Sequence, residues 1–256
     1  MPLRTVWSRV VALQALQFVF IFAAFAAKGA CIGPAALPNS VVSITRHFTE
    51  EERKNDPTLL GVRGTGWFLS SNSLVTAAHV AQSMALSQTD WKEVDVGTGA
   101  QDKHFKVRIR KILGPGVEKI VILELKESFP GVEPLSVRSE PLATGEAAYS
   151  IGYPGNQLRI ASGHFVKEGD EARLAGTDLF ELSDGDDRLA LDHGASGAPV
   201  LDCEGRVVAV VSNVFAKTIS FMSQAIRVST AWGSPNVAAI PASALVPFSD
   251  AAGTGQ

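Results

Sequence analysis

The shortness of the apolar runs constrains this chain more than any other feature. Beyond the N-terminus they come as brief bursts: Val41–Ile44, Leu74–Ala78, Ile120–Leu125, Ala147–Gly152, Val207–Ser212 and Val237–Ile240. Valine and isoleucine dominate them, and stretches rich in Gly, Pro, Asn, Asp and Ser separate them. β-Branched runs this short fold as strands joined by tight turns, not as helices. No long amphipathic helical stretch appears outside the N-terminus, so the pattern predicts an all-β chain. The composition agrees: 46% of residues are apolar and 19% charged, which suffices for a sizeable core, and 23 Gly with 13 Pro supply the turns.

Further strand candidates are Phe105–Ile112, Leu158–Val166, Leu179–Leu182, Pro199–Leu201 and Phe221–Val228. Residues Pro130 to Thr144 read as a connection, with about six strands on each side. Six short strands a side suit two packed six-stranded antiparallel β-barrels. The expected domain runs from 31 to 249, with its junction near 130–144 and a disordered tail at 250–256. No internal repeat is found.

The N-terminus reads as a targeting segment. Arg4 and Arg9 precede an apolar stretch from Val10 to Ala27, and Ala24-Phe25-Ala26 offers a small-residue cleavage pattern. Residues 1–30 are expected to be a signal peptide or, since residues 10–27 are near bilayer-spanning length, a membrane anchor. Either directs the rest to the cell exterior or envelope. There the two cysteines, Cys31 and Cys203, can pair; the alternative is that both stay unpaired. The net charge is −3 and carries no nucleic-acid reading. The one basic run, His104 to Lys111, alternates with apolar residues and reads as a half-exposed strand.

Two blocks carry chemistry. In Gly194-Ala195-Ser196-Gly197-Ala198-Pro199-Val200, glycine lets the backbone turn N–H donors toward one point beside an exposed hydroxyl. A serine hydroxyl is a poor nucleophile until a base takes its proton. Leu74-Val75-Thr76-Ala77-Ala78-His79 supplies a candidate base at the end of a strand. Taken singly, each block also reads as an ordinary turn or a structural histidine. Their joint occurrence is what points to nucleophilic catalysis.

With these two blocks the chain resembles the trypsin-like (chymotrypsin-fold) serine peptidases, closest to their bacterial secreted and envelope branch. Gly64-Thr65-Gly66-Trp67-Phe68, Ile151-Gly152-Tyr153-Pro154-Gly155 and Ala239-Ile240-Pro241 extend the resemblance over about residues 40–248. It implies a double β-barrel with the active site in the cleft, and cleavage of protein or peptide substrates through an acyl-enzyme. His79 would be the general base, Ser196 the nucleophile, and the N–H groups of Gly194 and Ser196 the oxyanion hole. No cofactor or metal is implied. Ala190 would lie at the base of the primary specificity pocket and favour a small or medium apolar residue. Ser212, Asn213 and Val214 would meet the substrate backbone, Ser212 also bonding the triad acid. Ala195 lacks the carboxylate that pairs with a freed N-terminus in the digestive members, so no activation of that kind is expected.

The chain departs from the family at the third catalytic position. Where an aspartate precedes a strand, the sequence reads Glu118-Lys119-Ile120-Val121-Ile122-Leu123, with Lys119 on the aspartate position. Losing the acid costs about 10⁴ in kcat in a well-characterised member. Three readings stand: Glu118 takes the role, Asp95 or Asp102 swings in, or the site is a dyad or inactive. The last would make the protein a peptide-binding module on a peptidase fold. Asp192 and His193 flank the serine loop. The acidic run Ser183-Asp184-Gly185-Asp186-Asp187 reads as a turn without a full calcium loop. His47, His104 and His164 have no partners at metal-ligand spacing and read as surface residues.

Overall fold

The computed structural model describes residues 39–249 apart from Asn55, 98–101, 115–117, 171–173, 185–193, 215, 222–223 and 230–234; between 213 and 234 it describes the main chain alone. The expected leader, tail, Cys31 and Ala190 lie outside the described residues.

Strands β1 (Val41–His47), β2 (Gly61–Ser70), β3 (Ser73–Ala77), β4 (Lys92–Gly97), β5 (Asp102–Leu113) and β6 (Ile120–Leu125) close into a barrel in the order β1-β2-β3-β6-β5-β4. A short helix, α1 (Ala78–Ser83), follows β3. Strands β7 (Ala147–Gly152), β8 (Arg159–Glu168), β9 (Asp178–Ser183), β10 (Pro199–Leu201), β11 (Val207–Val214) and β14 (Val237–Pro241) close a second barrel, ordered β10-β11-β14-β9-β8-β7. Both barrels are antiparallel throughout. The fold is the all-β double barrel that the strand pattern predicts.

Two elements differ from the sequence reading. Lys92–Gly97, outside the expected strands, is a full strand; its alternation of Val94 and Val96 with charged residues is half-buried and short. Phe221–Val228, read as one strand, is two: β12 (Ala216–Phe221) and β13 (Gln224–Ser229) pair as a hairpin outside both barrels.

Three apolar clusters hold this architecture. Val42, Ile44, Phe68, Leu74, Phe105 and Leu123 fill the first barrel. Phe165, Phe180, Leu182, Val200 and Val211 fill the second. Between them, Trp67, Val75, Ile120 and Ile122 of the first barrel pack on Tyr149, Ile151, Tyr153, Leu201, Val210 and Ile240 of the second. Strand β6 therefore buries both faces, Val121 and Leu123 inward and Ile120 and Ile122 toward the other barrel. That explains why its sequence is a continuous apolar run rather than an alternating one.

Residues 126–146 join the barrels. Leu135 N–H donates to the Phe68 carbonyl at 2.9 Å, and Val207 N–H to the Ser136 carbonyl at 2.8 Å, so the connection is bonded to both. Arg138 anchors it through ion pairs to Glu146 and, at 3.5 Å, to the buried Asp202.

Candidate active site

Strand register brings the chemistry-bearing residues together. Antiparallel pairing of β3 with β6 sets Ala77 opposite Ile120 and Thr76 opposite Val121. The residues that leave β3, Ala78 and His79, therefore lie beside those that enter β6, Glu118 and Lys119. Ala78 N–H donates to the Lys119 carbonyl at 2.8 Å and closes this junction. In the second barrel, Pro199 of β10 faces Val210 of β11, and Gly197 N–H donates to the Val211 carbonyl at 2.8 Å. Ser196 is thereby placed beside Ser212.

The serine loop is tied to the first barrel by Thr65 of β2. Its N–H donates to the Ser196 carbonyl at 2.9 Å and its hydroxyl to the Gly194 carbonyl at 2.7 Å. The same hydroxyl accepts Tyr153 N–H at 2.9 Å. One threonine thus holds the loop and the start of the β7–β8 turn together, which gives the Gly64-Thr65-Gly66 block its physical role. Glycine is required twice. Gly194 has φ +99° and Gly197 φ +92°. A Cβ on Gly197 would lie 2.1 Å from the Thr65 carbonyl oxygen and 2.2 Å from Thr76 Oγ1. Ala195 between them is fully buried, with its carbonyl accepting Ala198 N–H at 2.9 Å.

Four functional groups meet at the mouth of these two junctions. His79 Nδ1 lies 3.8 Å from Glu118 Oε2. That is within ion-pair range and longer than a hydrogen bond. The Ser212 hydroxyl, on a residue only 3% exposed, donates a short hydrogen bond to the same Glu118 oxygen. The Ser196 hydroxyl donates to the Ser212 carbonyl at 3.4 Å. Ser212 therefore contacts the acid with its side chain and the serine hydroxyl with its main chain. Burial holds the His79 imidazole below its usual pKa, and the Glu118 charge opposes that shift. The imidazole is thus neutral, able to accept a proton, through the neutral pH range.

The structure also sorts the other sequence candidates. Lys119 turns away: its ammonium donates to the Gly114 carbonyl at 2.6 Å. Asp95 is paired with the ring nitrogens of His104 and, at 3.4 Å, of His47 on the outer face of the first barrel. Both histidines are exposed surface residues, and β1, β4 and β5 bring them to one carboxylate. Asp102 begins β5 opposite Gly97. Asn213 and Val214 continue β11 past a bulge and pair with Ala238 and Val237; Ala190, Asp192 and His193 fall outside the described residues. Among the described residues no group of three or more His, Cys, Asp or Glu is arranged to hold a metal ion, and no helix is long and apolar enough to cross a membrane.

A family model described as the trypsin-like peptidase domain matches residues 64–210, more than half of the chain. The chain belongs to the trypsin-like peptidase family. This trypsin-like chain is 29% identical, over 189 residues, to the serine proteases MT3772 and Rv3671c of two Mycobacterium tuberculosis strains. That alignment covers 70% of this chain and 43% of each relative, so the chain spans less than half the length of the curated relatives it matches. The crystal structure of the Rv3671c protease in its active form superposes with a TM-score of 0.56 at 19% identity, covering 91% of this chain and 94% of that one. The inactive form gives 0.52 at 21% identity, covering 86% and 92%. An HtrA-type protease solved with a tripeptide gives 0.52 at 15% identity, covering 87% and 63%. These structural likenesses establish the shared fold.

Proposed function

We propose that this trypsin-like domain is a serine endopeptidase in which Ser196 is the nucleophile, His79 the general base and Glu118 the acid. The observation that carries the reading is the convergence of Ser196, His79, Glu118 and Ser212 at the two strand junctions. On this reading the Ser196 hydroxyl exchanges the Ser212 carbonyl for His79 Nε2. Its oxygen then bonds the substrate carbonyl carbon while His79 takes the proton. Glu118 orients the ring through Nδ1 and stabilises the imidazolium; the 3.8 Å gap closes when substrate binds, as catalytic contacts commonly tighten on complex formation. Collapse of the intermediate breaks the C–N bond, and His79 returns the proton to the leaving amine. Water then releases the acyl group by the same steps.

The oxyanion hole is assigned to the N–H groups of Gly194 and Ser196. A trans peptide points its C=O and N–H in opposite directions. The Ala195 carbonyl is turned to Ala198 N–H, so the Ser196 N–H of the same peptide faces the other way. For the substrate chain, the main chain of Ser212, Asn213 and Val214 is the expected docking edge. The β10 ladder ends at Pro199 opposite Val210, and the bulge between Val211 and Asn213 carries β11 beyond it. Protein or peptide substrates with a small or medium apolar residue before the cleaved bond are assigned through Ala190. Residues 1–30 are assigned as the signal or anchor that places the domain in the envelope or outside the cell; N-terminal sequencing of the native protein reads whether they remain.

Phosphonylation by a fluorophosphonate probe tests the core of the proposal. Wild-type protein is expected to be labelled and to cleave casein, and Ser196→Ala to do neither. Folded protein whose labelling does not depend on Ser196 refutes it.

A further inference from the structure

Lys119 stands where the family pattern puts its aspartate, and its two contacts bracket the residue beside it. Its carbonyl accepts Ala78 N–H at 2.8 Å, fastening its main chain to the residue before His79. Its ammonium donates to the Gly114 carbonyl at 2.6 Å, fastening its side chain to the end of β5. Gly114 makes that approach with φ +121°, and a Cβ there would lie 3.3 Å from the Glu118 carbonyl oxygen and 3.6 Å from Lys119 Cα. Glu118 sits between these fastenings, with its carboxylate on the Ser212 hydroxyl and 3.8 Å from His79 Nδ1.

We infer that Lys119 is a positioning residue for the catalytic acid: its contact with the Gly114 carbonyl closes the stem of Gly114, Glu118 and Lys119, and that closure aims Glu118 at His79. The inference rests on the proposed role of Glu118 as the acid. It turns the apparent defect at the third catalytic position into part of the device. An ammonium contacting a carbonyl replaces the usual carboxylate, and the preceding residue supplies the acid.

The charge of Lys119 makes the inference separable from a simple electrostatic effect. Among the described residues, the charged groups on elements packed against His79 are Glu118 and Lys119 on the β6 stem, Glu124 near the far end of β6, where Arg108 pairs with it at 2.8 Å, and Arg63 on β2. Arg63 is turned to Thr45, with Nε 3.2 Å from its hydroxyl. Helix α1 and strand β11 carry no charged side chain. Removing a cation near His79 would favour the imidazolium and raise its pKa. Releasing Glu118 does the opposite: burial keeps lowering the His79 pKa while the opposing carboxylate is lost. The two explanations shift the acid limb of the pH profile in opposite directions.

The test measures the rate of phosphonylation of Ser196 by a fluorophosphonate across pH. In that step the Ser196 Oγ–P bond forms, the P–F bond breaks, fluoride leaves and the serine proton passes to His79. For Lys119→Met, the rate at saturating probe is expected to fall about 10- to 100-fold, as misplacement by an ångström does. Probe affinity should stay within a factor of about two and the acid limb should move to lower pH. Lys119→Arg, which keeps charge and donor, is expected to recover most of the rate. In a Glu118→Gln background, Lys119→Met should add almost nothing, because both act through one carboxylate. If Lys119→Met does not fold, Gly114→Ala strains the same closure and is expected to move the limb the same way. A wild-type rate in Lys119→Met, or a limb moving to higher pH, overturns the positioning role while a slowed Glu118→Gln leaves the acid in place. A wild-type rate in Glu118→Gln overturns the acid itself.

Discussion

Asp178 offers a quantitative test of how this fold handles a buried charge away from the active site. It opens β9, opposite Glu168 of β8 and Ala239 of β14, and lines a cavity of about 350 Å³ with Glu168, Phe165 and Val208. Burial, aided by the Glu168 charge, pushes its carboxyl pKa up to about 7, from an ordinary value near 3.8. The folded state therefore holds a proton that the unfolded chain has already lost between about pH 4 and pH 7. Stability contributed there is present below the unfolded pKa and drains away as pH rises to the folded one. About three pKa units at roughly 1.4 kcal/mol each set a ceiling of about 4 kcal/mol. Asparagine has the same shape and no charge, so Asp178→Asn is expected to stabilise the protein, and more so at higher pH. Urea unfolding at pH 5 and pH 8 measures this. The gain at pH 8 should exceed that at pH 5 by about 2–3 kcal/mol, since about two of the three units fall in that window. Equal effects at the two pH values, or destabilisation at pH 8, would refute the reasoning.

Two substitutions probe the site itself. Glu118→Gln is expected to lower the phosphonylation rate by about 10³- to 10⁴-fold, by the loss of tautomer control that removal of a triad acid causes. It should also shift the acid limb to lower pH, because His79 keeps its burial and loses the carboxylate that opposes it. An unchanged pH profile would contradict the assignment. Gly197→Ala places a Cβ 2.1 Å from the Thr65 carbonyl oxygen at φ +92°, combining left-handed strain with overpacking. A loss of about 3–5 kcal/mol in urea unfolding is expected, and a loss under about 1 kcal/mol would show that the loop relaxes freely.

The sequence carries most of the double barrel, and the reason is local. Ile120–Leu123 and Val207–Val211 are continuous apolar runs because they pack on two sides, and such runs stand out from their surroundings. Lys92–Gly97 has only Val94, Val96 and Gly97 buried, so its signal is diluted by charge. The blocks around His79 and Ser196 stand out because they also encode backbone demands: Gly197 has no room for a side chain, and Thr65 bonds the Gly194 and Ser196 carbonyls. The partnership of Asp95 with His47 and His104 was not legible. It depends on β1 and β5 flanking β4, which no short-range pattern announces.

The third catalytic position shows where position in sequence stops being informative. On the proposed assignment, the pairing of Ala77 with Ile120 puts the acid among the residues just before Ile120, and positions 118 and 119 both lie there. Adjacent residues in an extended chain project to opposite sides, so only one of the two can face His79. Which one does so is decided by the conformation of the stem, not by its sequence offset. Gly114 at φ +121° and the Lys119 ammonium on its carbonyl are the contacts that accompany the orientation with Glu118 inward. An aspartate at position 119 could not make that contact, since a carboxylate beside a carbonyl oxygen repels it. The exchange of aspartate for Glu118-Lys119 is therefore a coupled change, and reversing only one of its halves should leave His79 without a correctly placed acid.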